Sequence, residues 1–164
     1  MSSLLRLTAE ELTSDPTDAL SALSNLIPSL VRVLPPSSCP LFALLRLRAL
    51  FLTPPETPTA LQECIASYAM AYAGAEHTHP PGHPTLAIIL AEWGKTLSME
   101  LPDGAGGVSK QDVMKRLMEA VVVLRKAYTA CERGFGPGGG IVGKEVEGLI
   151  RGCEGEIGLM RYAQ

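Results

Sequence analysis

Three histidines fall within seven residues, His77, His79 and His83, with Glu76 beside the first. Three imidazoles and a carboxylate are a donor set that zinc accepts, so these positions are the candidate metal ligands. Pro80, Pro81 and Pro84 work against such a site. Each fixes its own φ and biases the preceding residue toward extended backbone, which holds the rings apart. The preferred expectation is an inter-helix loop in which His83 caps the next helix, with no metal and no other cofactor.

The glycines imitate nucleotide signatures. Gly138, Gly140 and Gly143 spell G-x-G-x-x-G, and Gly138, Gly143 and Lys144 spell G-x-x-x-x-G-K. A phosphate cradle needs a strand feeding the loop and a helix N-terminus aimed at the anion. Here the feeder, Tyr128 to Arg133, reads as the end of a helix, and Glu145 stands where a P-loop needs a hydroxyl for magnesium. The expected reading is a helix–helix turn. Nucleophile chemistry finds no footing either, because all three histidines lie in one segment. Glu145, Glu147, Glu154 and Glu156 read as the solvated face of the last helix. Tyr68, Tyr72, Trp93 and Tyr128 read as core, with room for one of them to line a groove. No catalytic residue is assigned.

The elements that carry these residues are helical. Leu 24 and Ala 18 against Val 9 and Ile 7 is a helix-leaning balance, and no segment alternates with the period of a half-buried strand. The spacing predicts a helix over about 15–34 opened by Asp15-Pro16, with a kink or break at Pro28. A second is expected over 39–52, and a third opens at Thr57-Pro58 and ends near Gly74. A fourth follows His83-Pro84. The fifth and longest is capped by Ser109, and the last spans about 141–162. It carries Gly143, Gly148, Gly152, Gly155 and Gly158, each costing about 0.5–1 kcal/mol relative to Ala. The expected organisation is an N-terminal tail over 1–14 and one helical-repeat domain over 15–164, with flexible links near 75–82, 102–108 and 134–140. The fold class is all-α, antiparallel helix pairs in a stack of about six helices. Trp93-Gly94 followed by Ala120 and Ala127 loosely follows the tetratricopeptide pattern.

Composition narrows the partners. The 164 residues carry Lys+Arg 14 against Asp+Glu 17, a net charge of -3, and 5% aromatics. No global positive field and few stacking platforms argue against nucleic acid. The longest apolar segment, Leu41 to Leu52, is interrupted by Arg46 and Arg48 and falls short of the roughly 18–20 residues that cross a bilayer. Cys39, Cys64, Cys131 and Cys153 are widely spaced and form no C-x-x-C pair. Together with a start that has no signal-peptide core, this makes the cytoplasm or nucleus the expected location.

The run Tyr72 to Met99 resembles the C-terminal helical region of the SET and MYND domain protein lysine methyltransferases. The likeness rests on His79-Pro80-Pro81-Gly82-His83-Pro84 and on Trp93-Gly94-Lys95. Ala120 to Glu132 is similar to a later helix of that region, and Gly136 to Glu156 to its glycine turn and final helix. The likeness covers about residues 40–162. It implies the family's tetratricopeptide-like domain, which packs against the catalytic half and helps shape the substrate cleft or bind partners. The family's Asn-His-Ser-Cys segment, C-terminal tyrosine motif, post-SET cysteines and MYND finger have no counterpart here.

These readings converge on a non-catalytic interaction module that binds a protein or peptide. The alternatives are a fragment of a lysine methyltransferase whose SET domain lies outside this chain, and a metal-binding protein built on the histidine segment. If the module packs against another half, an apolar patch is left exposed. Leu41, Phe42, Leu45 and Phe51 on the second helix are the expected interaction surface, which would also promote self-association.

Overall fold

A computed structural model describes residues 16–100 and 109–162. The expected tail 1–14, the cap at Asp15 and the link 102–108 lie outside the described residues. Within them the chain is all-helical, with six α-helices: α1 (Pro16–Val31), α2 (Cys39–Phe51), α3 (Pro58–Thr78), α4 (Pro84–Ser98), α5 (Lys110–Phe135) and α6 (Gly140–Tyr162), plus a short 3-10 turn at Pro137–Gly139. No strand occurs among the described residues, and none of their helices is long and apolar enough to cross a membrane.

Local chemistry explains most boundaries. The side chain of Thr57 accepts the amide of Ala60 at 3.1 Å, and that of Ser109 accepts the amide of Asp112 at 3.1 Å. His83 Nδ1 accepts the amide of Thr85 at 3.2 Å, so the expected imidazole cap forms. A proline occupies the first turn of α2, α3 and α4, where its missing N–H costs nothing. Two expectations are corrected. The helix does not break at Pro28: α1 runs on through it, with Pro28 facing solvent, where water can take the carbonyl freed by the missing N–H. α3 does not end near Gly74 but continues to Thr78. Gly74 is buried there because any Cβ would strike the carbonyl oxygen of Pro36, so this glycine serves close packing and not termination.

The core has two parts joined by α4. One gathers Leu23, Ile27, Leu41, Phe42, Leu45, Cys64 and Tyr68 with Leu86 and Ile89. The other gathers Leu90, Leu97, Leu117, Leu124, Val146, Cys153 and Ile157. Tyr72 and Trp93 pack against both. Each fully buried Leu or Val contributes about 1.5–3 kcal/mol of transfer free energy. α4 and α5 meet most closely, with Gly94 against Leu124 and with Ala87, Ala120 and Ala127 completely buried.

The expected apolar surface on α2 is corrected here. Leu41, Phe42 and Leu45 are 2%, 6% and 3% exposed, and Phe51 is half-buried against the same cluster. The physical reason is that α2 is sandwiched by α1 and α3 on its apolar side. Its arginines meanwhile reach partners far along the chain. Arg46 forms a two-pronged pair with Glu92 of α4 at 2.8 and 2.6 Å, and Arg48 bonds Ser67 and Glu63 of α3. No patch for self-association remains at these positions.

Candidate functional site

The histidines do not converge. His77 is in the last turn of α3, where its Nδ1 donates to the Ala73 carbonyl at 2.7 Å. His79 follows the helix, with Nδ1 3.2 Å from the Ala75 carbonyl. His83 spends its Nδ1 on the α4 cap. The His79 and His83 rings do meet edge-on, 4.3 Å between centroids, and Phe42 packs on His79 at 5.7 Å. Among the described residues no group of three or more His, Cys, Asp or Glu side chains is placed to hold a metal ion. The imidazoles instead finish one helix and start the next.

The glycine motif is likewise structural. Helix α5, and no strand, leads into it, and Gly136, Gly138, Gly139 and Gly140 take φ of 88°, 78°, 66° and 64°. Such values are open to glycine and strained for other residues. Gly143 packs under the loop, where a Cβ would be 2.5 Å from the Gly138 carbonyl oxygen. The acidic face of α6 is used in ion pairs, Lys95–Glu145 at 2.9 Å, Arg125–Glu154 at 2.7 Å and Arg151–Glu147 at 2.8 Å.

What the structure assembles is a pair of cavities over α4, each flanked by α3 and α5. A cavity of about 490 Å³ is walled by Tyr72 and Glu76 of α3 and by Arg125, Lys126, Thr129, Ala130 and Arg133 of α5, with Leu86 and Leu90 of α4 beneath. The turn His79, Pro81 and Gly82 closes that end. Gly82 has φ 88° and lies so near α5 that a Cβ would be 2.7 Å from Arg133 Cβ. Glycine at this position lets the turn settle on the helix. A second cavity of about 300 Å³ has Pro58, Leu61, Gln62 and Ile65 of α3 opposite Asp112, Lys115, Arg116 and Glu119 of α5, with Leu97 of α4 between them.

Leu86, Leu90, Trp93 and Leu97 repeat at 4-3-4 spacing, so they share one face of α4. Trp93 therefore lies along that face between Leu90, which lines the first cavity, and Leu97, which lines the second, and lines neither itself. Its ring is 6.2 Å from that of Tyr72, and its indole N–H is buried without a hydrogen-bond partner. Tyr72 donates to Glu76 Oε1 at 2.8 Å. Burial, and then that carboxylate, push the phenol up to about 12.

The two ends differ in charge. The first has three cations, Arg125, Lys126 and Arg133, against the carboxylate of Glu76. Arg125 is paired with Glu154, whereas Lys126 and Arg133 make no ion pair among the described residues. The second end is balanced, two acids against two bases, and Arg116 donates to the Met99 carbonyl at 2.9 Å while burial lowers its pKa.

Sequence reasoning allowed one aromatic residue to line a groove, and Tyr72 does. It placed Lys126 and Arg133 on the polar side of the fifth helix without foreseeing that this side faces α3 across a gap. Their seven-residue spacing puts both on one face of the helix, but the sequence carries no signal that this face lies opposite Glu76. No protein-family model matches the chain, and no curated protein or solved structure is similar enough to count as a match.

Proposed function

We propose that the chain is a non-catalytic helical-repeat module that holds an extended segment of a partner protein in the groove between α3 and α5. One observation carries this reading. Rising residue numbers along α3 meet falling numbers along α4 and rising numbers along α5, in the two cavities taken in turn. That register is what antiparallel helix pairs in a tetratricopeptide-like stack would produce. It also agrees with the resemblance to the C-terminal region of SET and MYND domain methyltransferases. Eighteen positions separate Pro58 from Glu76, about 27 Å of helix, which is room for about eight residues of extended chain. The apolar floor of Leu86, Leu90 and Leu97 supplies contact area.

The test is a pool of randomised eight-residue peptides presented to the wild-type chain and to Thr129→Phe. Thr129 is exposed and lines the larger cavity, so a phenyl ring there fills the groove and leaves the core alone. Peptides that bind the wild type are expected to shift amide resonances of α3, α4 and α5 and to lose at least tenfold in affinity to the variant. Binding that is indifferent to Thr129→Phe, or shifts confined to α1, α2 or α6, overturns the proposal. Calorimetry with S-adenosylmethionine is expected to show no heat of binding; retention of that cofactor would restore the enzyme alternative.

A further inference from the structure

We infer that the segment held in this groove is acidic, carrying two carboxylates four residues apart with an apolar side chain between them. The inference rests on the groove being a binding site for extended protein, and it adds the chemistry of the ligand. Lys126 and Arg133 are exposed cations seven residues apart on α5, about 10 Å along the helix axis. An extended chain rises about 3.3 Å per residue and alternates its side chains between two faces, so side chains four positions apart leave the same face and reach both.

Neighbouring groups leave these two cations available. Arg125 is engaged by Glu154 at 2.7 Å, and Glu76, the acid across the groove, receives the Tyr72 hydroxyl at 2.8 Å. Between and below the cations lie Leu86 and Leu90, both buried, so the middle of the segment meets hydrocarbon. A carboxylate and an apolar residue are thus demanded within one short stretch, which a protein segment provides. The chain as a whole does not gather polyanions, since its net charge is -3. A nucleic acid would extend past these cations, whereas an eight-residue peptide ends within the groove.

The experiment compares three eight-residue peptides of one backbone design: an acidic one with two Glu four positions apart and a Leu between them, the same peptide with both Glu replaced by Gln, and the same with both replaced by Lys. Affinities are measured by calorimetry at low and at 0.15 M salt. The acidic peptide is expected to bind at least tenfold tighter than the Gln peptide at low salt, with the difference shrinking as salt rises. Lys126→Glu combined with Arg133→Glu is expected to reverse the preference toward the Lys peptide. Lys144→Glu on α6, outside the groove, is expected to leave affinities within twofold, and circular dichroism checks that both variants are folded. Equal binding of all three peptides, lost in Thr129→Phe, overturns the acidic preference and leaves the groove standing. Binding of none of them by the wild type, with randomised peptides also failing, overturns the groove itself. Tighter binding of a single-stranded RNA octamer than of the acidic peptide, lost in the charge-reversed variant, overturns the choice of ligand.

Discussion

The seam between α4 and α5 and the outer face of α6 both depend on small residues, and they use them in opposite ways. At the seam, Gly94 stands where a Cβ would be 2.5 Å from Leu124 Cδ2, and Ala87, Ala120 and Ala127 are wholly buried around it. On α6, Gly148, Gly152 and Gly155 recur on the face turned away from the core and would meet nothing within 4 Å. The first glycine lets two helix backbones approach, which is what sets α4 as the floor beneath α3 and α5. The other three add only backbone freedom to the unfolded chain. A glycine in a helix is thus interpretable from the atom opposite it, and that atom usually belongs to a distant part of the sequence.

Removing the partner side of the seam has the largest expected effect. Leu124→Ala deletes a side chain that is 0% exposed and should cost about 2–5 kcal/mol through lost transfer and a residual cavity, read by urea denaturation. Gly94→Ala should cost about 1–3 kcal/mol, because Leu124 must leave its position to admit the methyl group. The double variant tests whether the two residues oppose each other directly. With Leu124 truncated the added methyl has space, so the combined loss should fall at least 1 kcal/mol short of the sum. Additive losses would show that the glycine is needed for some reason other than Leu124.

Away from the seam, the pair Arg46–Glu92 links α2 to α4 with side chains 36% and 23% exposed. Its two-pronged geometry places Glu92→Ala at about 1 kcal/mol, the upper range for partly solvated pairs, and the loss should diminish in high salt.

That pair also shows why one part of the structure was readable in the sequence and another was not. The caps at Thr57, His83 and Ser109 depend on residues two or three positions away, so composition and spacing suffice to recognise them. The apolar stripes of α4 and α5 were legible for the same reason. The face of α2 was not. Leu41, Phe42 and Leu45 look like a surface waiting for a partner only if α1 and α3 are left out of view. Arg46 and Arg48 look like solvated interruptions until Glu92 and Glu63 are brought to them across 46 and 15 positions. The groove was hidden in the same manner. Its walls come from residues 58–76 and 112–133, and only the packing of both on α4 turns Lys126 and Arg133 from a polar helix face into one side of a trough.

The smallest effect separates the two kinds of glycine most sharply, because its sign reverses. Gly148→Ala, Gly152→Ala and Gly155→Ala each place a methyl group in open space on an exposed helical position. Each should stabilise the chain by about 0.5–1 kcal/mol, chiefly by restricting the unfolded state. Thermal unfolding of the triple variant should then rise by about 3–12 °C, taking about 2–4 °C per kcal/mol for a chain of this size. Gly143→Ala, on the same helix, is expected to destabilise, since its methyl would meet the Gly138 carbonyl oxygen at 2.5 Å and the backbone there cannot swing aside as a leucine can. A triple variant that melts lower than the wild type would mean that the outer face of α6 is pressed against something in solution, and the contrast between the seam and this face would disappear.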